Sequence, residues 1–136
     1  MTLSRPSNPP SAKRLIAASL LLLGTAFSTT AFADEAWQQT VVDIAGVENY
    51  FREHCMMLEA GQTISYRYQS IYPLDFNIHH HPDNNTIFLY NEENRTSSRG
   101  EFHADNKDHF CFTWTNKVER GGEEWSVVLD YQVTNQ

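Results

Sequence analysis

Three consecutive histidines at positions 79–81 are the residues of this chain with the clearest potential for chemistry. In a β-strand, His79 and His81 point to the same side, about 7 Å apart. Two imidazoles on one face could hold Cu²⁺, Ni²⁺ or Zn²⁺ if a third ligand came close. Asp83, His103 and His109 are the candidates for that ligand, and His103 is the one we select. The alternative is a solvated strand end, in which these histidines continue the outward set of Asp75 and Asn77.

Catalytic patterns are absent from the sequence. No serine lies in a G-x-S-x-G segment, which is the signature of a nucleophile elbow. The paired carboxylates Glu92-Glu93 and Glu123-Glu124 lie beside loop or turn residues and are typical of a solvated surface. We therefore expect no enzyme, no catalytic residue and no cofactor, apart from Cu²⁺ or Zn²⁺ if the histidines bind a metal.

Composition excludes two further classes of protein. The 136 residues include 10 Lys/Arg and 17 Asp/Glu, a formal net charge of −7, whereas a nucleic-acid binder needs a basic face to neutralise phosphates. Hydrophobic residues make up 40% and aromatic residues 12%, which is ample for a folded core. The chain is short enough for one domain only.

The N-terminal segment has the order of a secretory signal. Arg5, Lys13 and Arg14 precede an apolar run over residues 15–27, and Ala31-Phe32-Ala33 follows as a small-x-small cleavage site. The run is shorter than the ~20 residues that a membrane-spanning helix needs, so we expect no transmembrane anchor. The prediction is a signal peptide over residues 1–33, a periplasmic or secreted protein, and one domain over residues 34–136. That domain retains seven Lys/Arg and all 17 Asp/Glu, a net charge of −10.

Cys55 and Cys111 are the only cysteines, and both lie in the part predicted to be exported. An even number of cysteines in an oxidising compartment indicates a disulfide. The alternative is a metal or redox pair, for which the chain lacks a C-x-x-C spacing.

Alternation of apolar and polar residues predicts strands throughout the exported part. Ile64, Tyr66 and Tyr68 alternate with polar residues, as do Phe110, Phe112 and Trp114. We expect these aromatic side chains to form the core, the alternative being a groove for a sugar or lipid. About eight short strands are predicted, over residues 40–47, 50–57, 63–70, 74–78, 86–90, 100–104, 109–115 and 125–133, with a loop over 91–98. Residues 41–58 could also be helical, but their apolar spacing fits a period of two.

The chain resembles the GOLD domain of the emp24/p24 cargo-receptor family over about residues 50–133. The resemblance rests on Cys55, on the turn at residues 59–62, on the strands that follow, and on the late segment C-F-x-x-x-N at residues 111–116. It implies a compact antiparallel β-sandwich of GOLD or jelly-roll type, with about seven or eight strands, in which the early cysteine bonds to the late one. The coiled coil, membrane helix and sorting tail of that family do not follow the domain here.

These patterns together favour an exported, non-enzymatic binding module of the cell envelope. Its partner would be a protein, a lipid or a glycan, met through a face or loop of the sandwich. The alternative is a periplasmic protein that binds a divalent metal through His79 and His81, with His103. The sequence gives no indication of oligomeric state.

Overall fold

The computed structural model describes residues 36–135, and the predicted signal peptide at residues 1–33 lies outside them. Six β-strands follow one another along this part of the chain. They are β1 (Gln38–Ala45), β2 (Tyr50–Leu58), β3 (Gln62–His80), β4 (Ile87–His103), β5 (Asp108–Asn116) and β6 (Glu124–Asn135), with a short 3-10 turn at Pro82–Asn84 between β3 and β4. Within residues 36–135, no helix has the length and apolar character needed to cross a membrane.

The long strand β3 organises the sheet. Every pairing is antiparallel, and the strands run in the order β1-β6-β3-β5-β2, with β4 also paired to β3. The first half of β3 pairs with β6, from Gln62 to Gln69, and its second half pairs with β5, from Asp75 to His80. Strand β4 accompanies both halves. The sheet therefore curls over one core, and the predicted all-β antiparallel fold is confirmed.

The core lies on the inward side of the curled sheet. Residues of β3 and β6 are buried largely in alternation, whereas residues 110–114 of β5 are all buried. Phe76 is fully buried and contacts the rings of Tyr68 and Trp114 at centroid distances of 4.7 and 5.6 Å. The aromatic residues expected in the core are all buried there: Tyr66, Tyr68, Phe110, Phe112 and Trp114. This set therefore packs in the core, and Tyr68 also reaches the wall of a groove along β3, β4 and β6.

Two details of the strand pattern differ from the prediction. The segments 63–70 and 74–78 are one strand, because the chain passes through a bulge between Gln69 and Leu74 without leaving the sheet. Residues 91–98, predicted as a loop, belong to β4. Their side chains are mostly exposed, so burial imposes no apolar alternation on them and the sequence shows no strand signal. The strand count is therefore six rather than seven or eight.

The predicted disulfide is present. Cys55 on β2 and Cys111 on β5 are direct partners in the antiparallel register, and their sulfur atoms are bonded. No described cysteine is free. The bond joins β2, the last strand in the sheet order, to its neighbour β5, so it reinforces a pairing that the backbone hydrogen bonds also make.

Candidate functional site

His79 and His81 come together at the end of β3. His79 lies in register with Cys111 of β5 on one side and with Phe88 of β4 on the other. His81 follows the strand directly, and its backbone starts the turn at Pro82–Asn84. The Nε2 atoms of the two rings are 3.1 Å apart, far closer than a regular strand spacing gives.

The surroundings of His79 differ from the solvated strand end that the sequence allowed. Its side chain is only 6% exposed. The Oε1 atom of Glu53 on β2 lies 3.6 Å from its Nε2 atom. Burial lowers the pKa of His79, and the neighbouring rings of His81 and His80 lower it further. The carboxylate of Glu53 acts in the opposite direction and raises this pKa, but the net shift is downward. The imidazole is therefore neutral at physiological pH.

The side chains of His79, His81 and Glu53 are each oriented by a further hydrogen-bond partner. The Nδ1 atom of His79 is 2.8 Å from Oδ1 of Asn77, and Nδ1 of His81 is 3.2 Å from Oγ1 of Thr86. The hydroxyl of Thr113 donates a hydrogen bond of 3.0 Å to Oε1 of Glu53. We call His79, His81 and Glu53 the histidine cluster.

His103, the third residue of the predicted metal site, is not brought to the histidine cluster. It lies opposite Thr63 near the start of β3, and its Nδ1 atom is 3.0 Å from the Thr63 hydroxyl. His80, between the two clustered histidines, points the other way. It stacks on Phe110 at 4.9 Å and pairs with Asp108 at 2.9 Å. Of the three residues of the predicted metal site, the structure therefore brings two together, His79 and His81, and leaves His103 apart.

Glu53 was missed because nothing near it in sequence indicates a site. One signal could have found it. Glu53 is two residues before Cys55, and a register set by the disulfide places it on the same face of the sheet, opposite Thr113. The disulfide does not place the histidines, however, because His79 is brought beside Cys111 by the register between β3 and β5.

A second polar feature is a groove of about 790 Å³ along β3, β4 and β6. Three of the seven Lys/Arg in residues 34–136 lie on it, namely Arg67, Arg95 and Arg99. The wall also contains Tyr68, whose buried hydroxyl has no hydrogen-bond partner within residues 36–135. The wall also carries two carboxylates, Glu92 and Asp130, so the groove has charges of both signs.

The Arg67–Asp130 ion pair at the groove makes stability depend on pH. Hydrogen bonds from Gln39 and Arg67 hold the pKa of the Asp130 carboxyl below its ordinary value of 3.8. Because the folded-state pKa is the lower one, the pair stabilises the fold above about pH 4, and this contribution is lost as the pH falls through the folded-state pKa. Urea unfolding should show a stability difference between the parent protein and Asp130→Asn that shrinks towards zero by about pH 2. A difference that is constant with pH would contradict this assignment.

Strand β4 is an edge of the sheet, since among the described strands it pairs only with β3. Its first four residues, Ile87, Phe88, Leu89 and Tyr90, are all apolar or aromatic and all exposed. Phe88 is the most exposed of them at 61%. Proteins usually blunt such an edge with charges, a proline or a covering segment. We call these four residues, with the exposed Arg95 and Arg99 further along the strand, the β4 surface.

Comparison with known proteins identifies the fold class. No family model matches the chain, and no curated protein does either. Among solved structures, the chain is similar to Aeromonas hydrophila PliG, a periplasmic lysozyme inhibitor of g-type lysozyme. The TM-score is 0.55 and the identity 11%, over 74% of this chain and 89% of that one.

Two further structures share this fold. A mutant of Escherichia coli PliG, also a periplasmic inhibitor of g-type lysozyme, has a TM-score of 0.51 and 12% identity over 75% of this chain and 91% of that one. The Yersinia pseudotuberculosis-derived mitogen has a TM-score of 0.51 and 11% identity over 75% of this chain and 89% of that one. Identities this low show a common fold, and the fold carries different activities, an inhibitor in one case and a mitogen in the other.

Proposed function

We propose that this protein is an exported, non-enzymatic module that binds and inhibits a lysozyme of the g type. The observation that carries a binding role is the β4 surface, a run of four exposed apolar side chains on an unpaired strand edge. The choice of lysozyme as the partner is supported by the fold, which is shared with two periplasmic inhibitors of g-type lysozyme over about three quarters of the chain. The export signal predicted at residues 1–33 would bring the protein to the compartment in which those inhibitors act.

The physical properties of the β4 surface suit a protein partner. An exposed strand edge offers backbone hydrogen bonds, and the alternate side chains give specificity. Aromatic residues and arginine are the side chains that most often dominate binding energy at interfaces. Phe88, Tyr90, Arg95 and Arg99 supply both types on one strand.

Charge supports the same choice of partner. Glycoside hydrolases work with carboxyl groups at the cleavage site, and arginine pairs with carboxylates through two parallel hydrogen bonds. Arg95 and Arg99 are exposed on β4 and could make such pairs. The net charge of −10 on residues 34–136 would also attract any basic surface that the lysozyme has outside its active site.

The test is inhibition of a g-type lysozyme in a peptidoglycan turbidity assay, together with the dissociation constant of the purified pair. Leu89→Lys should weaken binding by about 30-fold, the effect of losing one central interface residue. Leu89 is chosen because Phe88 contacts the ring of His79, and a change there would also disturb the histidine cluster. Val41→Lys is the matched control, since Val41 is an exposed aliphatic residue on β1, which β6 and β3 separate from β4.

Two results would reject parts of this proposal. Full lysozyme activity in the presence of excess folded protein rejects lysozyme as the partner. Equal weakening by Leu89→Lys and Val41→Lys rejects the β4 surface as the contact. The resemblance to the GOLD domain stays a prediction, and a lipid ligand, which it implies beside a protein partner, would then be the next to examine.

A further inference from the structure

We propose that the groove along β3, β4 and β6 binds an acidic glycan, a sugar chain that carries carboxylate groups, through the guanidinium groups of Arg67, Arg95 and Arg99. All three side chains line the groove, and we call them the arginine set. The site goes beyond the proposed inhibition of lysozyme. It shares Arg95 and Arg99 with the β4 surface, but it extends across the exposed face of the sheet to β3 and needs no lysozyme.

The register of the sheet places two positive charges side by side on this face. Arg67 on β3 lies directly opposite Arg99 on β4, while its other neighbour is Asp130 on β6. Like charges that face one another across an antiparallel pair destabilise the sheet. Residues 34–136 contain 17 Asp/Glu and only seven Lys/Arg, so a carboxylate would be the commoner residue at such a position. Arrangements that cost stability in this way are concentrated at functional sites.

The two carboxylates of the groove do not neutralise the arginine set. Asp130 accepts a hydrogen bond of 2.9 Å from Nε of Arg67 and is thereby engaged. Glu92, the other carboxylate of the wall, forms no ion pair within residues 36–135, and neither do Arg95 and Arg99. Two guanidinium groups of the groove therefore have no carboxylate partner in the protein itself, and an anionic ligand can supply one.

The spacing of the arginine set fits an extended ligand with several negative charges. Arg95 and Arg99 are four residues apart on β4, so they point to the same side of the strand and their Cα atoms are about 13 Å apart. Both are exposed, and the side chain of Arg67 is 62% exposed. Each guanidinium group can bind one carboxylate through two parallel hydrogen bonds. A single small anion would fill one end of this row, whereas a chain with repeated carboxylates would fill both.

Neutral polar side chains between the arginines suit the hydroxyl groups of a sugar. Ser97 lies between Arg95 and Arg99 on the same side of β4. It is in register with Gln69 of β3, and both residues are exposed on the groove wall. A serine hydroxyl and a glutamine amide can each donate and accept hydrogen bonds, as a sugar hydroxyl does. The volume of about 790 Å³ lies within the ~300–1,000 Å³ of small-ligand sites.

The test is calorimetric titration of the exported form with tetragalacturonate, an oligosaccharide with one carboxylate on each ring, at low salt and without lysozyme. We expect saturable binding with a dissociation constant tighter than about 1 mM. Added salt should weaken it, because exposed charges are screened. Arg99→Gln should weaken it by about 10-fold, the loss expected for one hydrogen-bonded charged group. Arg52→Gln is the matched control, since it removes one exposed arginine on β2, outside the groove.

Two further ligands distinguish the chemistry that is recognised. The methyl ester of tetragalacturonate keeps the sugar rings without their charges, and binding of this ester as tight as that of the acid would overturn the role of the arginine set. Inorganic phosphate that binds as tightly as the glycan would overturn the choice of a sugar ligand. The site is rejected if the parent protein binds more weakly than about 1 mM, or if Arg52→Gln weakens binding as much as Arg99→Gln does. Because no lysozyme is present, failure here and failure of the proposed function are separate results.

Discussion

Reduction of the Cys55–Cys111 disulfide is expected to lower the free energy of unfolding by about 4 kcal/mol. The bond closes a loop with a sequence separation of 56, and the chain-entropy model gives this value for a loop of that length. A loss of 4 kcal/mol is a large part of the ~5–15 kcal/mol that a domain of this kind possesses. The reduced protein should therefore be folded only marginally, with the β2–β5 backbone pairing still available.

Urea unfolding with and without a reducing agent measures this loss directly. The double variant Cys55→Ser/Cys111→Ser is the control, since its stability should be low and should not respond to the reducing agent. A change below about 1 kcal/mol on reduction would show that the bond does not brace the fold. Two free thiols in the unfolded, unreduced protein would show that the bond is absent.

Asn116→Ala is expected to destabilise the protein by about 3 kcal/mol, because one buried side chain serves several backbone groups. Asn116 is fully buried at the end of β5. Its amide nitrogen donates to the carbonyl oxygens of Val47 and Val118 at 3.0 and 2.7 Å, and its oxygen accepts from the Val118 N–H at 3.2 Å. Alanine leaves these groups in a cavity without partners, and each unpaired group costs about 1–3 kcal/mol.

Thr115→Ala is the matched control for this experiment. Thr115 is the half-buried neighbour on the opposite face of β5, so its loss should cost less than about 1 kcal/mol. Thermal or urea unfolding of the two variants gives the comparison. Equal effects of the two changes would mean that Asn116 does not tie β5 to the turn after β1.

Strands could be predicted from the sequence where one of their faces is buried and the other is exposed. Strands with one buried face, such as the run through Ile64, Tyr66 and Tyr68, were identified because burial imposes a period of two on the sequence. The segment at residues 91–98 escaped detection because its strand is fixed by backbone pairing to β3, with little contribution from its own side chains. Residues 63–70 and 74–78 were predicted as two strands, but a bulge between Gln69 and Leu74 keeps them in one strand, β3.

The candidate site shows the same limit in another form. His79 and His81 could be paired from sequence because they are two residues apart on one strand. Glu53 lies on β2, and only the register across β5 brings it to the histidines. His103 had the right residue type, but β4 carries it to the other end of β3. Side-chain chemistry can be read from a sequence, whereas convergence across strands depends on pairing that the sequence does not state.

Because β3 belongs to both halves of the sheet, the domain should behave as one cooperative unit. Strand β6 pairs with the first half of β3 and β5 with the second half. Since β3 is continuous through residues 70–73, unfolding of one half should disrupt the pairing of the other half as well. Of the three tryptophans, Trp125 lies on β6 and Trp114 on β5, so these two report on opposite halves. Their unfolding transitions should coincide, which is the condition that allows the stability changes above to be compared on a single scale.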